Sequence, residues 1–191
     1  MKKFELTTDT KMFLGKKLFR IKALISFGNV KAGDVGGYIE KEENLSQWGN
    51  AWVSGDAKVY GNAWVYGDAE VYGDAEVCGN AKVYGNAEVC GNAKVYGNAW
   101  VYGDAEVYGN AWVYGNADYA TAKGFGSEYR TTTFFKLKDS NEIGVRCGCF
   151  YGTLKEFKEK VKETHGETKK AKEYLMLADL MEYRFSEEKK A

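Results

Sequence analysis

The sequence has no proline, one histidine and a formal net charge of zero. Without proline, nothing in the chain uses that residue to mark a linker. Lysine plus arginine and aspartate plus glutamate each number 27, so bulk electrostatics give no reason to expect duplex DNA as a partner. No run approaches the ~18 apolar residues of a membrane span, and the N-terminus lacks the apolar stretch of a signal peptide. We therefore expect a cytoplasmic protein without a membrane partner.

Residues for common catalytic sites are also scarce. The only histidine, His165, lies at a predicted helix end, where the helix dipole accounts for a cation. Among the four cysteines, Cys147 and Cys149 stand one residue apart in a predicted strand, which suits a disulfide poorly, and a zinc site would need two more ligands. We expect reduced thiols. No Walker loop, Rossmann fingerprint or Ser-His-Asp set is present, so we name no catalytic residue, metal ligand or cofactor.

What the sequence does contain is a repeat: twelve six-residue units fill residues 49–120 without an insertion. Each unit reads Gly-(Asn/Asp)-Ala-x-Val followed by Tyr, Cys or Ser, and Tyr119 replaces the last valine. Alanine and valine stand two apart, so in a strand they share the inward face, while the x position and the tyrosine point outward. Gly-Asn and Gly-Asp suit sharp turns. This pattern predicts a solenoid with a core of valine and alanine.

The repeat resembles the hexapeptide-repeat left-handed parallel β-helix family, in which a small residue follows an aliphatic one four positions later, as in Val-Tyr-Gly-Asp-Ala-Glu. The resemblance covers residues 49–120 and, in degraded form, part of 29–48. It implies three units per coil, about four coils, and a prism about 19 Å tall at ~4.8 Å per strand. Family acyltransferases use a coil histidine and family carbonic anhydrases use three. Because the repeat has no histidine, the anhydrase function is excluded and an acyltransferase would need another base.

Stacked coils would place residues three units apart in ladders on three outer faces. The third face is the most aromatic, and exposed aromatic patches mark interfaces. We expect it to be the oligomer interface, in a homotrimer implied by the family; alternatively, its tyrosines only cover the prism. The first ladder is Trp52, Glu70, Glu88 and Glu106, and the second is Lys58, Glu76, Lys94 and Trp112. The third is Trp64, Lys82, Trp100 and Asp118, and the expected interface residues are Trp64, Tyr66, Tyr84, Trp100 and Tyr102.

Residues 1–48 form an N-terminal segment that leads into the repeat. Alternating basic and apolar residues from Lys17 to Lys22 predict a strand there. This is the only clearly basic segment. Its cations either protect a strand edge from pairing or form a docking strip for an anion. They include Lys16, Lys17, Arg20 and Lys22.

Residues 121–191 lose the period and form a different module. Arg130–Lys138 and Ile143–Phe150 are predicted to form a hairpin. A capping box from Thr153 to Glu156 opens one helix, and a second runs from about Lys169 to Phe185. We expect this β-β-α-α module to cover an open end of the solenoid. The predicted fold is thus mainly β: a left-handed parallel β-helix with a small C-terminal α+β module.

A narrower resemblance depends on the flanking segments. Lys16–Ser46, with Leu-Phe-Arg-Ile-Lys-Ala and Gly-Asp-Val-Gly-Gly-Tyr-Ile-Glu, and Gly148–Phe157 are similar to small hexapeptide proteins of bacteria and their phages. Those proteins are described as transferases or polymer-forming proteins without an assigned reaction. The resemblance implies a phage or prophage origin and supplies no catalytic residues.

Three functions remain open. The first is a non-enzymatic oligomeric binding protein in the host cytosol, which sequesters an anionic ligand such as a nucleotide signal or occupies a host defence protein. The second is an acyltransferase using acyl-CoA with Asp34 or Glu40 as base, and the third is a structural assembly tile. The anion-binding candidates for the first are cations outside the repeat: Lys16, Lys17, Arg20, Lys22, Arg130 and Arg146.

Overall fold

The computed structural model describes residues 1–126, 128–138 and 140–186. The chain divides into two compact units, Met1–Asn116 and Ala117–Ala191. The first unit is a β-solenoid of about four turns preceded by a hairpin. The second is an antiparallel sheet with two helices. The predicted fold class, mainly β with a solenoid and a small α+β module, is confirmed.

The solenoid strands are short and stack in parallel. Backbone N–H groups of one coil donate to carbonyls of the next, as Glu70 does to Ala87 at 3.0 Å. From Ala51 to Val113 the repeat alanines and valines lie in the core at 0–1% exposure, as predicted, whereas Ala117 of the twelfth unit is exposed. Between residues 49 and 116, all of which are described, the strands are β4 Trp52–Val53, β5 Lys58–Val59, β6 Trp64–Val65, β7 Glu70–Val71, β8 Glu76–Val77, β9 Lys82–Val83, β10 Glu88–Val89, β11 Lys94–Val95, β12 Trp100–Val101, β13 Glu106–Val107 and β14 Trp112–Val113.

The strand register confirms the first two predicted ladders in full and the third as far as Trp100. The prediction that Asp118 extends the third ladder is wrong. Asp118 ends a 3-10 helix, Asn116–Asp118, and its carboxylate pairs with Lys136 at 2.8 Å. The twelfth unit leaves the solenoid because Tyr119, which replaces its valine, is too large for a valine position in the core.

Glycine at each corner serves both the turn and the stacking of coils. Gly79 has φ +70°, a region that L-residues with a Cβ rarely adopt. A Cβ at this position would also lie 3.0 Å from the backbone of Gly97 on the next coil. Gly103 has the same φ, but a Cβ there would meet no atom within 4 Å. From Gly49 to Gly109 the repeat therefore needs glycine for its positive φ, and it needs glycine for space only where another coil follows.

An N-terminal hairpin and a further strand extend the second face. Strands β1 (Phe4–Phe13) and β2 (Lys16–Ala23) pair in antiparallel fashion, and β3 (Val35–Ile39) joins β2 to β5 of the solenoid. The parallel β3–β5 pairing and a bridge between Leu45 and Val65 confirm the expected degraded coil within 29–48.

Two buried side chains satisfy backbone carbonyls of the first coil. The ammonium of Lys3 donates to Ala51 O at 2.8 Å and Gly49 O at 3.3 Å. The amide of Asn44 donates to Ala63 O at 2.8 Å and to a second carbonyl at 3.1 Å. They take the place of the strand N–H groups that a preceding coil would supply, so the N-terminal segment closes this end of the hydrogen-bond ladder.

The C-terminal unit is a four-stranded antiparallel sheet with two helices on its core. The elements are β15 Tyr119–Ala122, β16 Thr132–Lys136, β17 Ile143–Cys147, β18 Phe150–Thr153, α1 Leu154–His165 and α2 Lys169–Phe185. The predicted hairpin is confirmed by strands β16 and β17. Strands β15 and β18 were not predicted, and both helices occur where expected. The core includes Phe134, Val145 and Phe157.

Candidate functional site

The predicted basic strip on β2 is largely occupied by local contacts. Lys16 pairs with Glu40 at 2.8 Å. Arg20 donates to the hydroxyl of Tyr38 at 2.8 Å, and its guanidinium lies over that ring. Lys17 lies over a neighbouring ring on β2, and Lys22 is exposed. Lys16 and Arg20 thus hold the hairpin to β3 rather than converging on a cavity.

The two carboxylates considered as catalytic bases are also engaged in structural contacts. Glu40 accepts from Lys16 and, at 2.6 Å, from the backbone N–H of Gly61. The hydrogen bond from Lys16 lowers the pKa of Glu40 below its ordinary value, which makes its carboxylate a weaker base. Asp34 accepts from the N–H of Lys31 at 2.8 Å. These contacts favour structural roles for both residues.

The two predicted arginines of the C-terminal unit differ in placement. Arg146 lies on β17, in register with Thr133 and Tyr151 on the neighbouring strands. Arg130 precedes β16 and lines a cleft of about 470 Å³. Arg146 is not among the residues that line this cleft.

The cleft gathers polar and charged groups from separate segments of the C-terminal unit. Glu128 and Arg130 come from the chain before β16, and Lys160 and His165 come from α1. The thiols of Cys147 and Cys149 come from the end of β17 and the turn that follows it. We call this cavity the C-terminal cleft. Arg130, Lys160 and Glu128 are its permanently charged lining residues, and the Lys160 ammonium is also paired with Glu163 at 2.9 Å. Arg130 is therefore the main reason that the cleft favours an anionic occupant.

Helix α1 is positioned by its first turn. The hydroxyl of Thr153 accepts from the N–H of Glu156, and the carboxylate of Glu156 accepts from the N–H of Thr153 at 2.7 Å. This reciprocal capping box fixes the helical frame. Residues Phe157, Lys160 and Val161 consequently share the face that lines the cleft.

A glycine turn sets the opposite wall. The prediction that Cys147 and Cys149 share a strand is wrong, because β17 ends at Cys147 and Gly148 turns the chain with φ +58°. A Cβ on Gly148 would lie 2.8 Å from Nη1 of Arg130. The missing side chain therefore lets the guanidinium pack across the turn and reach the cleft.

Four aromatic rings run through the cleft in contact with one another. Phe150 contacts Phe157 at a centroid distance of 5.4 Å, and Phe157 contacts Tyr174 edge to face at 5.7 Å. Tyr174 and His165 lie nearly parallel at 5.9 Å. We call Phe150, Phe157, Tyr174 and His165 the aromatic arc.

The inner polar groups of the cleft form a hydrogen-bond chain. Thr132 donates to the sulfur of Cys147 at 3.1 Å, the thiol of Cys147 points to the hydroxyl oxygen of Tyr174 at 4.0 Å, and that hydroxyl donates to Phe125 O at 3.5 Å. Burial, with a smaller contribution from Cys147, raises the pKa of Tyr174 to about 12. Tyr174 is therefore a neutral donor at physiological pH and fixes the floor of the cleft.

The third solenoid face carries the predicted aromatic ladder. Trp64 stacks on Tyr66 at 4.1 Å, Tyr66 on Tyr84 at 4.8 Å, and Tyr84 on Tyr102 at 5.3 Å. Trp64, Trp100 and Tyr102 are 41%, 44% and 51% exposed. The tyrosines stabilise one another across the coils, and the tryptophans add exposed apolar surface.

Sequence reasoning found Arg130 but missed the rest of the cleft. The capping box was a usable signal, because it places Phe157, Lys160 and His165 on one helix in a known frame. No pattern in the sequence indicated that Arg130 would pack against the turn at Gly148.

Comparison of the chain with protein-family models and with curated proteins gives no match. Among the described residues, no three or more His, Cys, Asp and Glu side chains are grouped so that they could hold a metal ion. Neither described helix has the length and apolar character needed to cross a membrane.

Proposed function

We propose that this protein is a non-enzymatic binding protein that holds an anionic small ligand in the C-terminal cleft. The observation that carries the proposal is the convergence of Arg130, Lys160 and His165 on one cavity of about 470 Å³. Ligand sites are concave, mostly apolar cavities of roughly this size with a few convergent polar groups. An arginine fork adds bidentate recognition of phosphate or carboxylate.

This proposal moves the anion site from β2 to the C-terminal unit. The cations Lys16 and Arg20 are held by Glu40 and Tyr38, whereas Arg130 lines an open cleft. Of the predicted cations, Arg130 is therefore the one that we assign to ligand binding. Lys160 joins it, although its ammonium also contacts Glu163 at 2.9 Å.

Thermal unfolding with a panel of anions tests the proposal. A ligand at about 100 times its Kd stabilises the folded state by ~2.7 kcal/mol, so binding should raise the melting temperature of the wild type. The panel contains inorganic phosphate, cyclic nucleotides and nucleoside monophosphates. Arg130→Ala should remove the shift and Lys170→Ala, which changes an exposed cation on α2 that does not line the cleft, should retain it. No shift with any member would reject the anion site.

The resemblance to hexapeptide proteins of phages supplies the proposed biological setting. We place the protein in the cytosol of an infected bacterium, where it would sequester a nucleotide signal of a defence system or occupy a host defence protein. Expression in bacteria that carry a nucleotide-signalling defence should increase phage yield with the wild type and not with Arg130→Ala. An equal increase in phage yield with the wild type and with Arg130→Ala would instead favour a host protein as the target, bound elsewhere on the chain.

We also propose self-association, as a homotrimer, through the third solenoid face. The support is the exposed aromatic surface formed by Trp64, Trp100 and Tyr102 beside the stacked Tyr66 and Tyr84. Aromatic side chains are enriched in interface cores. Light scattering on the Trp64→Ala, Trp100→Ala double variant should give a smaller mass than the wild type. An unchanged oligomer would reject this face as the interface.

A further inference from the structure

The aromatic arc is more than an extension of the hydrophobic core. Its inner rings, Phe157 and Tyr174, are 3% and 7% exposed, whereas its end rings, Phe150 and His165, are only half-buried. All four line the same cavity.

Each half-buried ring lies against a buried one. Phe150 is backed by Phe157 and His165 by Tyr174. Rings that are already fixed lose little conformational entropy when a ligand packs on them. The two ends of the arc are therefore a preorganised apolar surface, beside the cations of the cleft, on which a ligand can pack.

The cations of the cleft and the rings of the aromatic arc are close enough to contact the same ligand molecule. Arg130 packs across Gly148, and Phe150 begins the next strand two residues later. On the other wall, Lys160 and His165 belong to the same helix, and both line the cleft. A cavity of about 470 Å³ is in the lower part of the range for small-ligand sites, so it suits a single compact ligand.

From this arrangement, and resting on the proposed anion site, we infer that the ligand carries an aromatic ring next to its anionic group, as a nucleoside monophosphate does. Arg130 and Lys160 bind the anionic group, and the ring packs against Phe150 and His165. Stacking of a base on an aromatic side chain changes affinity by roughly tenfold or more. The arc thus determines which anions bind tightly.

Calorimetric titration of the full chain with matched probes tests the inference. Adenosine and uridine 5′-monophosphates are compared with ribose 5-phosphate, and phenyl phosphate is compared with inorganic phosphate. In each comparison the probe with the ring should bind roughly tenfold tighter or more. Phe150→Ala should abolish this difference and leave ribose 5-phosphate binding unchanged, and His165→Ala should also abolish the difference. Arg130→Ala should weaken every probe, and Lys170→Ala should weaken none.

Proton NMR of the wild type gives a second measurement that needs no variant. Because the chain has one histidine, its imidazole resonances report on the cleft alone. A ring that packs on His165 should shift these resonances by its ring current, whereas ribose 5-phosphate should not produce that shift.

The outcomes separate this inference from the proposed function. If probes with and without the ring bind equally and shift the imidazole alike, the aromatic inference is overturned while the anion site stands. If no probe binds, the anion site fails, and this inference fails with it. If Phe150→Ala does not fold by circular dichroism, His165→Ala and the NMR comparison decide.

Discussion

Replacing Asn44 should destabilise the solenoid far more than replacing an asparagine of the repeat. Asn44 is fully buried, and its amide donates to Ala63 O at 2.8 Å and Gly61 O at 3.1 Å. Its side-chain oxygen accepts from the N–H of Lys41 at 3.0 Å. Asn44→Ala leaves these three backbone groups without their partner. An unsatisfied buried group costs about 1–3 kcal/mol, and two of these three are partly buried, so we expect a loss of about 3–4 kcal/mol.

Urea unfolding followed by tryptophan fluorescence is the appropriate assay. All five tryptophans lie within Met1–Asn116, so the signal reports on this unit, and linear extrapolation gives the free energy of unfolding. Asn80→Ala is the matched control, because the Asn80 amide makes an exposed 3.0 Å bond to Asn98; it should cost under about 1 kcal/mol. Asn44→Asp keeps the acceptor and removes the donors, so it should be at least as damaging as Asn44→Ala. Equal stability of the Asn44→Ala and Asn80→Ala variants would refute the capping role.

Three further predictions concern the repeat. Gly103→Ala should cost about 1–2 kcal/mol from its positive φ, and Gly79→Ala measurably more in the same urea assay, because only its Cβ meets another coil. Cys78→Tyr restores the usual repeat residue, yet it should lower stability by about 1–3 kcal/mol, since Tyr60 already packs over Cys78; Cys78→Ser is the control. Partial desolvation, then the charge of the stacked Glu88 on the next coil, raises the pKa of Glu70 above 4.5; because the side chain is otherwise exposed, its ionised form destabilises the fold only slightly. Glu70→Gln should therefore raise the melting temperature at pH 7, and the gain should shrink as pH falls toward 4.5.

The solenoid could be predicted from the sequence because successive units follow the same rule, that is, the same residue types at the same positions. Alanine and valine face inward, glycine turns the chain, and register then follows from spacing. The rule fails at Asp118, where Tyr119 has replaced the core valine and the chain joins another sheet. The capping roles of Lys3 and Asn44 were not predictable, since they depend on which carbonyls the first coil leaves without strand partners.

The regularity that makes the solenoid predictable also explains why the cleft lies elsewhere. In parallel stacking the same position of the repeat recurs on each successive coil, every ~4.8 Å. The surface therefore carries ladders of similar side chains and does not gather different side chains around one cavity. An anion site needs unlike side chains from separate segments. In the C-terminal unit, an antiparallel turn and a helix bring Arg130, Lys160 and His165 to one cavity. Variants of these residues should therefore affect ligand binding without altering solenoid stability measured by tryptophan fluorescence, whereas Asn44→Ala should do the reverse.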